Sequence, residues 1–324
     1  MSKLSIRAFG IAATLCATTA SGASVDDFTG LVVLGDSLSD LGRANAISNG
    51  ALASDPPYFE GRFSDGPIWV DYFASDALTA SEPGFSFAVG GATAVDNGDF
   101  LPDLDIQTEE LLGDAEVRAL IGDNPLLALW FGGNDLRAFI GGPDEVILAE
   151  RTAEAIGDAG LVLLNEGFDD ILLFNLPDLG RIPLYALANP DLAAEATLAT
   201  QAFNVAIADQ ADVLRDAGAT VFEVDIAGIF DALLADPLAF DITQPFLPCV
   251  IQDQNLEVVE ACPDSTGFLF FDALHPTTQV HAIISDVAID AIDGPTPVPL
   301  PATIALLMAG LGAVGSLRVV GRRA

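Results

Sequence analysis

Short apolar runs alternating with stretches of helical spacing constrain this chain more than any other feature. The runs are Leu31 to Leu34, Phe85 to Val89, Leu126 to Phe131, Ile171 to Phe174 and Thr220 to Val224. Between them, residues 68–78, 104–121, 144–166 and 192–217 carry apolar side chains at three- and four-residue intervals, and a final such stretch covers 277–292. Runs that are apolar throughout suit strands covered on both faces. The alternation therefore predicts an α/β fold with a parallel sheet and helices on either side. With no internal repeat and no linker before Asp293, residues 24–294 read as one domain.

The two ends have a different character. Lys3 and Arg7 precede an apolar run from Ala8 to Ala20 and a small-residue site, Ser21-Gly22-Ala23. Residues 1–23 thus have the build of a secretory signal peptide cleaved after Ala23. Residues 295–324 open with Pro-Thr-Pro-Val-Pro-Leu-Pro-Ala, continue uncharged from Thr303 to Leu317, and close on Arg318, Arg322 and Arg323. If Arg318 snorkels, residues 303–320 are just long enough to span a bilayer with the basic end cytoplasmic. This tail resembles the PEP-CTERM type of bacterial sorting signal. That resemblance implies transient membrane anchoring, an exosortase-like processing partner, and delivery to the cell surface or the medium.

Between these ends the charge is extreme. All 47 acids lie in 24–294, with seven arginines and no lysine, a net of −40. Such a surface repels nucleic acid and excludes a phosphate-backbone partner. Cys16 leaves with the leader, and Cys249 and Cys262 form an even pair in an exported chain, which reads as a disulfide. Two thiols and two histidines do not make a metal site, and no cofactor is expected.

Chemistry in an open α/β sheet sits beyond the carboxyl ends of the strands. There the sequence places Ser37 after the first run, Gly90 after the second and Asn134 after the third, while Asp272 and His275 follow another apolar run, Phe268 to Phe271. A serine nucleophile needs a base, and the base needs a carboxylate to hold its tautomer. Only His275 and His281 can be that base, and His275 has Asp272 three residues before it; His281 reads as structural. The N–H groups of Ser37 and Gly90 and the Asn134 amide can donate to a developing oxyanion. Asp36 and Asp135 read as loop-holding carboxylates, Trp69 and Trp130 as core.

Four blocks in order resemble the GDSL or SGNH hydrolases: Gly35-Asp36-Ser37-Leu38, Phe87-Ala88-Val89-Gly90-Gly91-Ala92, Gly132-Gly133-Asn134-Asp135 and Asp272-Ala273-Leu274-His275-Pro276-Thr277. Gly61 to Trp69 and Asn175 to Gly180 look like the secreted lipase, phospholipase and haemolysin-like branch, with Ser86 where that branch usually has Asn. The resemblance implies a three-layer, flavodoxin-like α/β/α fold. It also implies Ser37 as nucleophile, His275 as base, Asp272 as orienter, and Gly90 (with Gly91 the neighbouring choice) and Asn134 as oxyanion donors. The expected function is a secreted serine hydrolase of carboxylic esters. The alternatives are a surface-displayed matrix or adhesion protein on an inactive hydrolase fold, and a carbohydrate O-deacetylase.

Overall fold

A computed structural model describes residues 23–77, 84–253 and 258–294. The expected leader and the expected sorting tail lie outside the described residues. Within them the elements run β1 (Gly30–Gly35), α1 (Arg43–Ile47), α2 (Trp69–Ala77), β2 (Gly84–Ser86), α3 (Leu104–Gly113), α4 (Ala115–Leu120), β3 (Pro125–Trp130) and α5 (Gly133–Phe139). They continue with α6 (Glu145–Asn165), β4 (Asp170–Phe174), α7 (Ala193–Ala217), β5 (Thr220–Val224), α8 (Ile226–Ala235), β6 (Gln244–Pro248), β7 (Val250–Gln252), β8 (Val258–Ala261), β9 (Phe268–Phe270) and α9 (Thr278–Asp293).

Strands β1 to β5 form a parallel sheet in the order β2-β1-β3-β4-β5, the doubly wound order with its switch point beside β1. Every residue of β1 and β3 is buried, which is why those strands read as unbroken apolar runs. Helices α6 and α7 pack as one pair and α2 and α9 as another, the outer layers of a three-layer α/β/α sandwich. Register aligns Gly35 at the end of β1 with Trp130 at the end of β3, so the loops after both strands open at the same level.

Two local expectations need correcting. The second strand ends at Ser86 rather than Val89. Phe87 and Val89 still donate to Val33 and Gly35 (2.8 and 3.1 Å), but the chain is already turning into Gly90-Gly91. Residues 104–121 are two helices, because Asp114 accepts from the N–H groups of Glu116 and Val117 and starts a new one. The run at 268–271 belongs to a separate two-stranded sheet, where β9 pairs with β6. The short α8 and the β7–β8 hairpin have no counterpart in the expected elements. Among the described residues no helix is long and apolar enough to cross a membrane.

Cys249 and Cys262 are joined by a disulfide with Cα atoms 5.0 Å apart, and the bridge ties the ends of the β7–β8 hairpin. Cys249 and Val250 donate their N–H groups to Phe270 and Phe271 (3.2 and 2.7 Å), which lead into Asp272. Closing a loop of this length contributes about 3 kcal/mol by chain entropy. The Cys249→Ser, Cys262→Ser double variant is therefore expected to lose roughly that much stability in urea unfolding. Thiol titration of the unfolded, unreduced protein should find no free sulfhydryl at these positions. Two thiols per chain would rule the bridge out.

Candidate active site

The loop after β1 puts Ser37 at the carboxyl end of the sheet, and the backbone there is held from several sides. Gln107, fully buried on α3, accepts from Gly35 N–H and donates to Gly35 carbonyl, both at 2.9 Å. Asp36 Oδ1 accepts from Leu38 N–H at 3.0 Å. Three chain segments beyond this loop supply the remaining groups.

The loop between β9 and α9 supplies two of them. Phe271 N–H donates to His275 carbonyl (2.7 Å) and Thr277 N–H to Leu269 carbonyl (3.1 Å), so Asp272 to Pro276 form a tight excursion. Within it Asp272 Oδ1 accepts from Leu274 N–H and His275 N–H, both at 2.8 Å. The His275 Nδ1 lies 2.9 and 2.8 Å from the two oxygens of Asp272, and its Nε2 lies 2.8 Å from Ser37 Oγ. With Nδ1 facing a carboxylate, the proton belongs on Nδ1 and Nε2 accepts from the serine hydroxyl. All three side chains are buried. Burial opposes the charge on Asp272, yet the attraction to a protonated His275 ring and the hydrogen bonds from His275 and Leu274 override it and hold the carboxyl below its ordinary range.

Tyr58 completes this group, and no sequence pattern marks it. Its hydroxyl donates to Asp272 Oδ2 at 2.8 Å, and burial next to that carboxylate raises its own pKa. The Tyr58→Phe substitution is expected to cost about 1–3 kcal/mol in urea unfolding, the usual range for a hydrogen bond to a buried charge. It should lower kcat/KM on a soluble ester by roughly tenfold, because Asp272 is then held by one fewer donor. No change in either quantity would show that the contact does not form.

The second and third segments bring the remaining groups together. Asn134 sits in the first turn of α5; its Nδ2 donates to Ala92 carbonyl (2.9 Å), and its Oδ1 accepts from Arg137 Nη1 (2.8 Å). Asp135, beside it, accepts from Ala94 and Val95 N–H groups and ties α5 to the loop after β2. Burial pushes Asp135 up to about 6 and Asp36 up to about 7, against the hydrogen bonds that favour their charged forms. Gly90, the expected oxyanion donor, lies in the loop after β2. Its N–H donates to the buried Asp40 Oδ2 at 2.7 Å, so it is already engaged. A Cβ at Gly90 would fall 2.0 Å from the Phe63 ring, which packs on His275 with centroids 5.0 Å apart. Gly91 has φ +98, and among the described residues neither its N–H nor that of Ser37 has a partner.

His281 lies away from this group. It is buried on α9, and its Nδ1 accepts from Trp69 N–H at 3.3 Å. Burial, with the nearby His275 charge, pushes its pKa down to about 3. Ser86, the departure from the branch pattern, donates to Ser39 carbonyl at 2.9 Å and so pins the loop after Ser37. Trp69 and Trp130 are core residues, and Trp130 also lines the cavity that opens beside Ser37. That cavity, about 580 Å³ including its mouth, is walled by Leu176, Leu179, Ile182, Phe230 and Leu274.

Comparison with known proteins finds relatives over most of the chain. The family model described as GDSL-like Lipase/Acylhydrolase matches residues 31–288. The phosphatidylcholine-sterol acyltransferase of Aeromonas hydrophila is 30% identical over 319 residues, covering 82% of this chain and 90% of that protein. An acetylesterase of Thermothelomyces thermophilus is 25% identical over 282 residues, covering 82% and 88%. Among solved structures, the acetyl xylan esterase AlAXEase aligns with a TM-score of 0.46 at 12% identity, covering 81% of this chain and 99% of that one. The chain belongs to the GDSL-like lipase/acylhydrolase family and is an ester-bond hydrolase.

Proposed function

We propose that the protein hydrolyses carboxylic esters through an acyl-enzyme formed on Ser37. The observation that carries this reading is the unbroken line from Asp272 through His275 to Ser37 Oγ, with 2.8 Å at each link, beside an apolar cavity. His275 Nε2 takes the serine proton as Oγ bonds to the carbonyl carbon, and Asp272 steadies the imidazolium that forms. The tetrahedral oxygen then receives the N–H groups of Ser37 and Gly91 and the second hydrogen of Asn134 Nδ2. Gly91 replaces Gly90 as donor, since the Gly90 N–H is held by Asp40. Collapse expels the alcohol with the proton from His275, and water repeats the sequence to release the acid. The apolar walls suit the acyl half of the ester.

The hydrolase domain is assigned to 24–294. Export by a leader at 1–23, and anchoring and exosortase-like processing of a tail at 295–324, rest on the sequence alone. The decisive experiment combines a fluorophosphonate probe with a chain-length series of nitrophenyl esters. The probe's phosphorus should be recovered on the peptide containing Ser37, with loss of fluoride, and labelling should abolish ester turnover. Labelling elsewhere, or turnover that survives complete labelling, would overturn the mechanism and favour the inactive-scaffold alternative.

A further inference from the structure

Seven arginines face 47 acids in residues 24–294, so an arginine without an acidic partner is unusual in this chain. Among the described residues, Arg43, Arg62, Arg118, Arg181 and Arg215 each form an ion pair. Arg137 and Arg151 do not. Arg151 nevertheless shares its cleft with Asp96, Glu154 and Asp158. Arg137 is different: it lines the cavity beside Ser37, where the one carboxyl among the lining residues is Asp36. Burial pushes Asp36 up to about 7, against the opposing pull of nearby cations including Arg137, so much of its negative charge is missing near neutrality.

The position of the guanidinium is fixed by one contact. Nη1 donates to Asn134 Oδ1 at 2.8 Å, and Asn134 is the residue whose amide is proposed to donate to the oxyanion. The charge therefore sits one amide group away from the reacting carbonyl. Its remaining N–H donors have no partner among the described residues, and the side chain is exposed. A guanidinium with spare donors in a planar fork is suited to a phosphate or carboxylate. The cavity thus offers apolar walls to an acyl chain and, at its mouth, a cation to whatever the alcohol half carries.

We propose that Arg137 is a specificity-determining residue that selects esters whose alcohol half bears a phosphate close to the scissile bond. The proposal rests on the ester-hydrolase reading and deepens it. A simpler role, in which Arg137 only orients the Asn134 amide, makes a different prediction. Loss of orientation would slow every ester by the same factor, whereas loss of phosphate recognition changes the ratio between esters.

The test compares 1-hexanoylglycerol with 1-hexanoylglycerol 3-phosphate, which share acyl chain and ester, in wild type and in Arg137→Gln. The glutamine keeps an N–H donor for Asn134 and removes the charge. The ratio of kcat/KM for phosphate over neutral ester should fall about tenfold in the variant. Salt should narrow the wild-type ratio and leave that of the variant nearly unchanged. A ratio equal in the two proteins at low salt overturns the proposal, whatever happens to the absolute rates. Calorimetric titration of Ser37→Ala and Ser37→Ala, Arg137→Gln with the same compounds separates the two readings. Tighter phosphate-ester binding that depends on Arg137 supports the proposal even if wild type turns over neither ester, a result that would count against the mechanism alone. Phosphatidylglycerol vesicles set beside the soluble phosphate ester then show whether the phosphate is taken from a lipid surface or from free solution.

Discussion

Replacing Ser37 by alanine is expected to leave a folded protein whose kcat/KM on a soluble nitrophenyl ester is reduced by roughly 10⁴- to 10⁶-fold, the range for loss of a nucleophile from a cooperating triad. Its hydroxyl makes one side-chain contact, to His275 Nε2, and the loop that carries it is held by Gln107 and Asp36 rather than by the serine. Stability should therefore change by no more than about 1 kcal/mol. Urea unfolding and ester turnover on the same preparation check both halves. Turnover above a few per cent of wild type would remove Ser37 from the role. A collapse in stability would leave the activity loss uninterpretable, and His275→Gln would then serve as the second probe.

The second large effect is on stability against pH. His281 is held neutral in the fold, with its pKa near 3, whereas an unfolded histidine titrates near 6.5. As pH falls through 6.5 the unfolded chain takes up a proton that the native state refuses. His281 thus costs stability progressively down to about pH 3, by on the order of 4 kcal/mol in all. Asp36 and Asp135 act in the opposite sense. Their native pKa values are raised to about 7 and 6, so their contribution is full at low pH and is lost as pH rises through those values. The net curve of the wild type mixes these terms, and the informative quantity is a difference. Relative to His281→Asn, which keeps an acceptor for Trp69 N–H, the wild type should lose stability steadily between pH 6.5 and 4 in urea unfolding. A difference independent of pH over that interval would show that His281 titrates normally in the fold.

What could be read from the sequence follows from which contacts are local. Ser37 and Asn134 each follow an apolar run, Asp272 and His275 are three residues apart, and two histidines leave few candidates for the proposed base. The supporting shell obeys no such rule. Tyr58 reaches Asp272 across 214 residues, Gln107 reaches Gly35 across 72, and Asp40 reaches Gly90 across 50. A tyrosine, a glutamine or an aspartate carries no mark in sequence that says it will be buried against a distant backbone. Gly90 and Gly91 follow the same strand and carry no mark that separates them; the Asp40 contact on which the proposal of Gly91 rests is a long-range one. The split at Asp114 was legible in principle, since an acid after glycine caps a helix, but continuous apolar spacing across it hid the signal. Strands β6 to β8 are short and largely exposed, with neither a buried run nor strict alternation to announce them.

The distance along the chain between Ser37 and His275, 238 residues, has a consequence for when activity begins. The loop that carries Ser37 follows β1 and emerges early in synthesis, while the His275 imidazole arrives just before α9, which packs on α2 and accepts Val25 N–H through Asp293. On the proposed mechanism, any chain stopped before residue 275 carries a serine with no base to activate it. Catalytic competence would then work as a completeness check, switching on only when the two ends of the domain have met. A half-made or clipped polypeptide is expected to be inert toward the esters around it.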